Sequence, residues 1–248
     1  MIGREELIKI SKLFSMRPWQ QEKHYVQTLV LLSLAEQQLV FKGGTYLWFA
    51  HGLNRFSEDL DFSATGDLME DLQDKVSEDL GFFGLENSVK TIKNDDFILS
   101  FRLSAKGPLN TSDIDLCHVY VEISRREKVL EKPSSIRIDF PAYNLPTKII
   151  AGMSLNEVAA EKIRAIMTRN RAKDVYDLHF LLKKGIKFNK KLANAKLSFY
   201  DISFSEKEFQ KKLFEKKKIW KKDLEALVFN DLPEFDHVSS AITKWLKS

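Results

Sequence analysis

The chain holds one cysteine, Cys117, in 248 residues, so no internal disulfide can form and a reducing, cytoplasmic setting is expected. It has no apolar run near the roughly 20 residues that span a bilayer. Its N-terminus, Met1-Ile2-Gly3-Arg4-Glu5-Glu6, turns acidic at once, unlike a secretory signal, and no membrane association is expected. Histidine is scarce: His51, His118 and His179 share no metal-ligand spacing with one another or with Cys117, which argues against a zinc site. Internal repeats and low-complexity segments are absent, and nothing beyond the presence of the residue types suggests a Ser-His-Asp nucleophile.

What is present is a globular composition, 44% hydrophobic and 30% charged, long enough to bury a core in one large domain or two small ones. The 18 phenylalanines fit such a core better than a stacking surface. Net charge is only +4, but it is uneven: residues 183–222 carry 14 lysines against Asp201, Glu206, Glu208 and Glu215. Such a local excess attracts a polyanion such as RNA; a solvated, lysine-rich helical face is the competing reading.

Along the chain, residues 4–14 read as a helix, and Pro18 opens a second that runs to about Gln37, because proline needs no donor at a first helical position. Leu39-Val40-Phe41 reads as a short strand ended by Gly43-Gly44, with a helix from Thr45 to His51. A strand at Leu60–Ser63, a helix from Asp67 to Leu80, and strands at Phe97–Leu103, Leu116–Ile123 and Ile136–Phe140 follow. Beyond Pro146, Ser154-Leu155-Asn156-Glu157 has the form of a capping box. It opens a helix to about Arg169, and another runs from Asp174 to Lys184, stopped by Gly185. A mixed α/β lobe over 1–148 and a helical lobe over 149–248 are expected.

The chemistry concentrates in one segment, from Phe41 to Phe62. Gly43 and Gly44 stand between a strand and a helix, where backbone N–H groups can approach a phosphate closely, and Thr45 adds a hydroxyl. Asp59 and Asp61 are two residues apart on a strand, so both carboxylates project from one face. Their mutual repulsion is relieved by a hard divalent cation such as Mg²⁺. The flanking Phe56, Leu60 and Phe62 anchor the segment in a core.

Gly43-Gly44-Thr45 followed by Asp59-Leu60-Asp61 resembles the signature of the polymerase-β-like nucleotidyltransferase superfamily. The fuller run, Phe41-Lys42-Gly43-Gly44-Thr45 and then Arg55-Phe56-Ser57-Glu58-Asp59-Leu60-Asp61-Phe62, resembles one branch of it, the AbiEii/AbiGii nucleotidyltransferase toxins of abortive-infection and toxin–antitoxin systems. The resemblance extends to about Leu182. It implies an α/β (α+β) fold, a polymerase-β-like core with a small mixed sheet and a helical C-terminal lobe. It also implies a third carboxylate on a neighbouring strand. Glu122, between Val121 and Ile123, fits best; Asp139 is the rival. Glu122 would then join Asp59 and Asp61 as a metal ligand.

On the downstream helix, Leu155, Val158, Ala159, Ile163 and Ile166 share one arc at about 100° per residue, and Lys162 falls inside it. A lysine in an apolar stripe is costly unless it is paired, functional or snorkelling. Asp174 lies toward the apolar side of the next helix, where capping is its plain role. The run from Glu157 through Lys162, Arg169 and Asp174 to Leu178 resembles the family's later motif, with Lys173 where arginine is usual. In that family the lysine and a downstream aspartate belong to the active site.

The expected function is therefore transfer of a nucleotide from a nucleoside triphosphate to an acceptor hydroxyl, with Mg²⁺ or Mn²⁺. Asp59, Asp61, Glu122, Lys162 and Asp174 would be catalytic, and Gly43, Gly44, Thr45 and Lys162 would bind the nucleotide. RNA, tRNA by resemblance, is the expected acceptor through residues 183–222, with a protein hydroxyl second, and a separately encoded antitoxin is the expected partner. A catalytically inactive nucleic-acid-binding module of the same fold and a metal-dependent nuclease are the alternatives.

Overall fold

Period-two alternation builds the central strands. In β5 (Cys117–Ser124), Val119, Val121 and Ile123 are buried while Tyr120 and Glu122 are exposed; in β2 (Asp59–Ala64), Leu60 and Phe62 are buried and Asp59 is exposed. The computed structural model describes residues 2–247. Among them, seven strands form one mixed sheet in the order β3-β4-β5-β2-β1-β7-β6. The other strands are β1 (Leu39–Lys42), β3 (Asn87–Asn94), β4 (Ile98–Ala105), β6 (Ser134–Ile138) and β7 (Lys148–Gly152). β2 runs antiparallel to β1 and parallel to β5, so the strand that carries Asp59 and Asp61 lies between two neighbours in mid-sheet.

The chain divides into two compact units. The first comprises Met1–His51, Phe56–Val129 and Pro133–Gly152 and contains the sheet with α1 (Arg4–Leu13), α2 (Pro18–Leu34), α3 (Gly43–His51) and α4 (Leu72–Phe82). Pro18 opens α2 as its sequence position suggests. α2 is buried along most of its length and packs against α1, α4, β5 and β6. Its His24 stacks on Phe49, with ring centroids 4.3 Å apart, and its Nδ1 lies 2.7 Å from the Tyr143 hydroxyl.

The second unit comprises Gly52–Arg55, Leu130–Lys132 and Met153–Ser248. Its helices are α5 (Leu155–Thr168), α6 (Ala172–Lys183), α7 (Lys190–Leu197), α8 (Glu206–Glu215), α9 (Trp220–Leu224) and α10 (Phe235–Trp245). α5 packs against α6, α7 and α8, and α6 against α9 and α10. Ser154 caps α5, its Oγ accepting from Glu157 N at 3.1 Å. The Glu157 carboxylate, expected to bond back to the cap, is spent elsewhere. It accepts from Leu130 N and Glu131 N, both at 2.9 Å, and pairs with the buried Lys196 at 2.6 Å.

Two strands were not evident in the sequence. β3 is an edge strand with most of its residues exposed, so Asn87-Ser88-Val89-Lys90-Thr91-Ile92-Lys93-Asn94 shows no buried face. β7 is a short run after Pro146 that gains its partners, β1 and β6, only through the tertiary fold. The acidic helix begins at Leu72, later than the sequence suggests. No helix among the described residues is long and apolar enough to cross a membrane.

Candidate active site

Strand register decides which carboxylates meet. Asp61 on β2 is the Cα partner of Lys42 on β1 and of Glu122 on β5, and Asp59 is the partner of Tyr120. Laterally paired residues share a face, and so do residues i and i+2, so Asp59, Asp61, Glu122 and Lys42 project from one side of the sheet. The other side carries the buried Phe41, Leu60, Phe62 and Val121. Asp139 follows β6, which β1 and β7 separate from β2, and it pairs with Arg137. The sheet thus brings Glu122, rather than Asp139, to the strand beside Asp59 and Asp61.

The glycine turn is tied to the same carboxylates. Gly43 has φ +79°, a left-handed conformation that favours glycine. A Cβ added there would collide with the Asp61 carboxylate, standing 3.0 Å from its Cγ. α3 therefore begins with its backbone against Asp61, and its first N–H groups have no intrahelical acceptor. Thr45, fully buried, donates its hydroxyl hydrogen bond to the Asp59 carbonyl, so in this structure it positions the strand. Lys42 is also buried, and its Nζ lies 3.1 Å from the buried Glu127 carboxylate.

In the second unit, Lys162 is explained by its partners. Its Nζ lies 3.1 Å from Asp174 Oδ1 and 2.6 Å from Asp177 Oδ2. Arg169 donates to both Asp174 oxygens at 2.8 Å. Arg55 grips Asp177 with Nε at 2.6 Å and Nη2 at 2.7 Å. Burial works against the Lys162 charge, but Asp177 and Asp174 outweigh it and raise its pKa above the ordinary lysine value. Burial likewise opposes ionisation of Asp174 and Asp177. Lys162 with Arg169 holds the first well below the usual carboxylate range, and Arg55 with Lys162 lowers the second. Asp174 sits inside the first turn of α6, whose N-cap is Arg171, so it is an ion-cluster residue and not the cap.

Sequence reasoning assigned no role to four residues that form these ion pairs: Lys42 and Glu127 in the first unit, Arg55 and Asp177 in the second. Lys42 and Arg55 carried a signal, since each is charged amid apolar residues of the segment from Phe41 to Phe62. The basic stretch is thinner than its lysine count suggests. Lys196 is buried against Glu157 and Glu161, Lys216 is buried with its pKa lowered chiefly by that burial, and Lys217 pairs with Asp236.

A sequence profile described as "Nucleotidyl transferase AbiEii toxin, Type IV TA system" matches residues 27–241, most of the chain. The chain belongs to the AbiEii nucleotidyltransferase toxin family. No curated protein shows detectable similarity to it. Among solved structures, it is similar to JHP933 from Helicobacter pylori, with 20% identity and a TM-score of 0.64 over 92% of this chain and 90% of that one. A nucleotidyltransferase candidate from H. pylori has 23% identity and a TM-score of 0.64, covering 91% and 95%. MenT4, a nucleotidyltransferase toxin from Mycobacterium tuberculosis, has 17% identity and a TM-score of 0.57, covering 99% and 89%. At these identities the structures show a shared fold.

For an AbiEii family member, the donor chemistry of the sheet face suits a hard cation. Asp59, Asp61 and Glu122 offer only oxygen, and Asp61 and Glu122 are lateral neighbours. Among the described residues, no group of three or more His, Cys, Asp or Glu forms a ready metal cage. Oxygen donors of this kind suit Mg²⁺ better than zinc, which favours nitrogen and sulfur.

Proposed function

We propose that this AbiEii family toxin transfers a nucleotide from a nucleoside triphosphate to an acceptor hydroxyl, with RNA, and tRNA in particular, as the acceptor. The observation that supports the reading is the close approach of Asp61 to Gly43, by which the start of α3 and the face bearing Asp61 and Glu122 meet. In the reaction, the acceptor oxygen attacks the α-phosphorus, the bond to the bridging oxygen breaks, and pyrophosphate leaves.

Backbone N–H groups at Gly43 and Gly44 bind the phosphates. Thr45 holds Asp59 in place through its carbonyl. Asp59, Asp61 and Glu122 would hold the divalent ion, Mg²⁺ or Mn²⁺. When bound, that ion offsets charge on the triphosphate and favours deprotonation of the attacking hydroxyl. Catalysis is then mainly positioning and electrostatics. Lys162 and Asp174 are assigned to the reaction by family resemblance, Lys162 to offset triphosphate charge and Asp174 to orient it. The setting proposed is cytoplasmic, with activity held in check by a separately encoded antitoxin.

The test is incubation of the purified chain with each labelled nucleoside triphosphate, Mg²⁺ and total cellular RNA. Label in RNA with release of pyrophosphate supports the reading. Label in protein alone replaces the acceptor, and RNA cleavage without incorporation replaces transfer by nuclease chemistry.

A further inference from the structure

β2 and β5 run parallel, so their C-terminal ends open on the same side. A groove of about 540 Å³ lies there, lined by Ala64 at the end of β2, by Thr65 and Asp67 beyond it, and by Arg125, Lys128 and Val129 after β5. This volume is in the range of small-ligand sites and larger than a lone phosphate needs. Ala64 lies three residues past Asp61, and Arg125 three past Glu122, which is about 10 Å along each strand.

Arg125-Arg126-Glu127-Lys128 holds three cations and one acid, but Glu127 is turned inward and buried against Lys42. The cations remain at the surface, with Arg126 and Lys128 exposed and Arg125 half-buried. Arg125 is held in orientation by donating to Asn94 Oδ1 at 2.8 Å and to the Asp95 carbonyl. Because Lys42 immediately precedes Gly43, the same ion pair ties this basic loop to the glycine turn.

We infer that this groove binds the phosphodiester backbone of the acceptor RNA next to its reacting hydroxyl. The inference rests on the proposed RNA acceptor and names the surface of the first unit that takes it. The Arg125 guanidinium and the Lys128 ammonium in the groove lining suit phosphates. Asp67 suits a ribose hydroxyl, which the backbone of RNA supplies.

The test uses the full chain and a fluorescent single-stranded oligoribonucleotide, titrated at several salt concentrations, with triphosphate binding and melting temperature measured in parallel. Arg125→Glu/Lys128→Glu should weaken oligoribonucleotide binding about 10-fold or more and lower the log–log salt slope by about 1.4, two single-strand phosphate contacts. Lys128→Glu alone, which leaves the Arg125 bonds intact, should lower the slope by about half as much. Triphosphate affinity should be unchanged in both. Wild-type RNA binding by both variants overturns the inference and leaves the nucleotidyltransferase reading standing. Loss of binding in Lys211→Glu/Lys218→Glu instead, with the groove variants unaffected, assigns RNA to the second unit and also overturns it. A wild-type chain that labels protein and binds no oligoribonucleotide overturns it together with the RNA acceptor.

Discussion

The place a Cβ would occupy on Gly43 is filled by the carboxylate of Asp61. Gly43 also has φ +79°, so a side chain there meets two separate penalties. Gly84 separates them: its φ is +80°, but open space lies where its Cβ would be. Gly84→Ala should cost about 1–2 kcal/mol of stability from backbone strain alone. Gly43→Ala should cost more and displace Asp61, reducing transfer by an order of magnitude or more. Denaturant melts and transfer rates on the two variants check this. Equal melts with intact transfer in Gly43→Ala would remove the proposed coupling between turn and carboxylate.

Much of the sheet face was legible because its signals are local. Alternation placed Asp59 and Asp61 together on one strand, and the glycine pair marked the turn before a helix. The partners were harder to read because they are distant in sequence. Lys42 and Glu127 stand 85 residues apart, and Arg55 and Asp177 stand 122 apart, so neither periodicity nor motif spacing connects them. Lys162 was legible as an anomaly in an apolar arc, yet only the packing of α5 on α6 shows that two aspartates resolve it. Which carboxylate stands on the strand beside Asp59 and Asp61 depended on strand order, which makes β5, and not β6, the neighbour of β2.

That ion cluster changes what Lys162→Met should do. A lysine buried for packing alone would be replaced at little cost, but here the change strips a cation from two buried carboxylates. Breaking a buried pair in this way costs about 3–5 kcal/mol, so the melting temperature should fall clearly. If Lys162 also acts on the triphosphate, transfer measured well below that temperature should drop by more than the unfolded fraction explains. An unchanged melting temperature would contradict the structural role of the cluster.

His24 makes stability depend on pH. Burial depresses its pKa to about 3, against 6.5 for an ordinary histidine. Between those values the unfolded chain takes up a proton that the folded chain refuses. Stability should therefore fall as pH drops from about 6.5 toward 3, by up to about 1.4 kcal/mol per pH unit from this one group. His179, depressed to about 4 mainly by burial, adds a slope of the same sign. His24→Gln should flatten the decline in melting temperature between pH 6.5 and 4 without removing the part due to His179. A decline as steep as in wild type would show that His24 is not the buried neutral base described.

Asp59 and Asp61 are proposed to hold the ion on which nucleotide transfer depends, and the most direct measurement compares the chain with its Asp59→Asn and Asp61→Asn variants. Each is incubated with labelled nucleoside triphosphates, Mg²⁺ and total cellular RNA, and its circular dichroism is recorded alongside. Asparagine keeps the shape of each side chain and removes the negative charge that would hold a divalent cation. The expected result is label in RNA with the wild-type chain, loss of transfer by at least about 100-fold in each variant, and unaltered folding. Full transfer by either folded variant would contradict the claim.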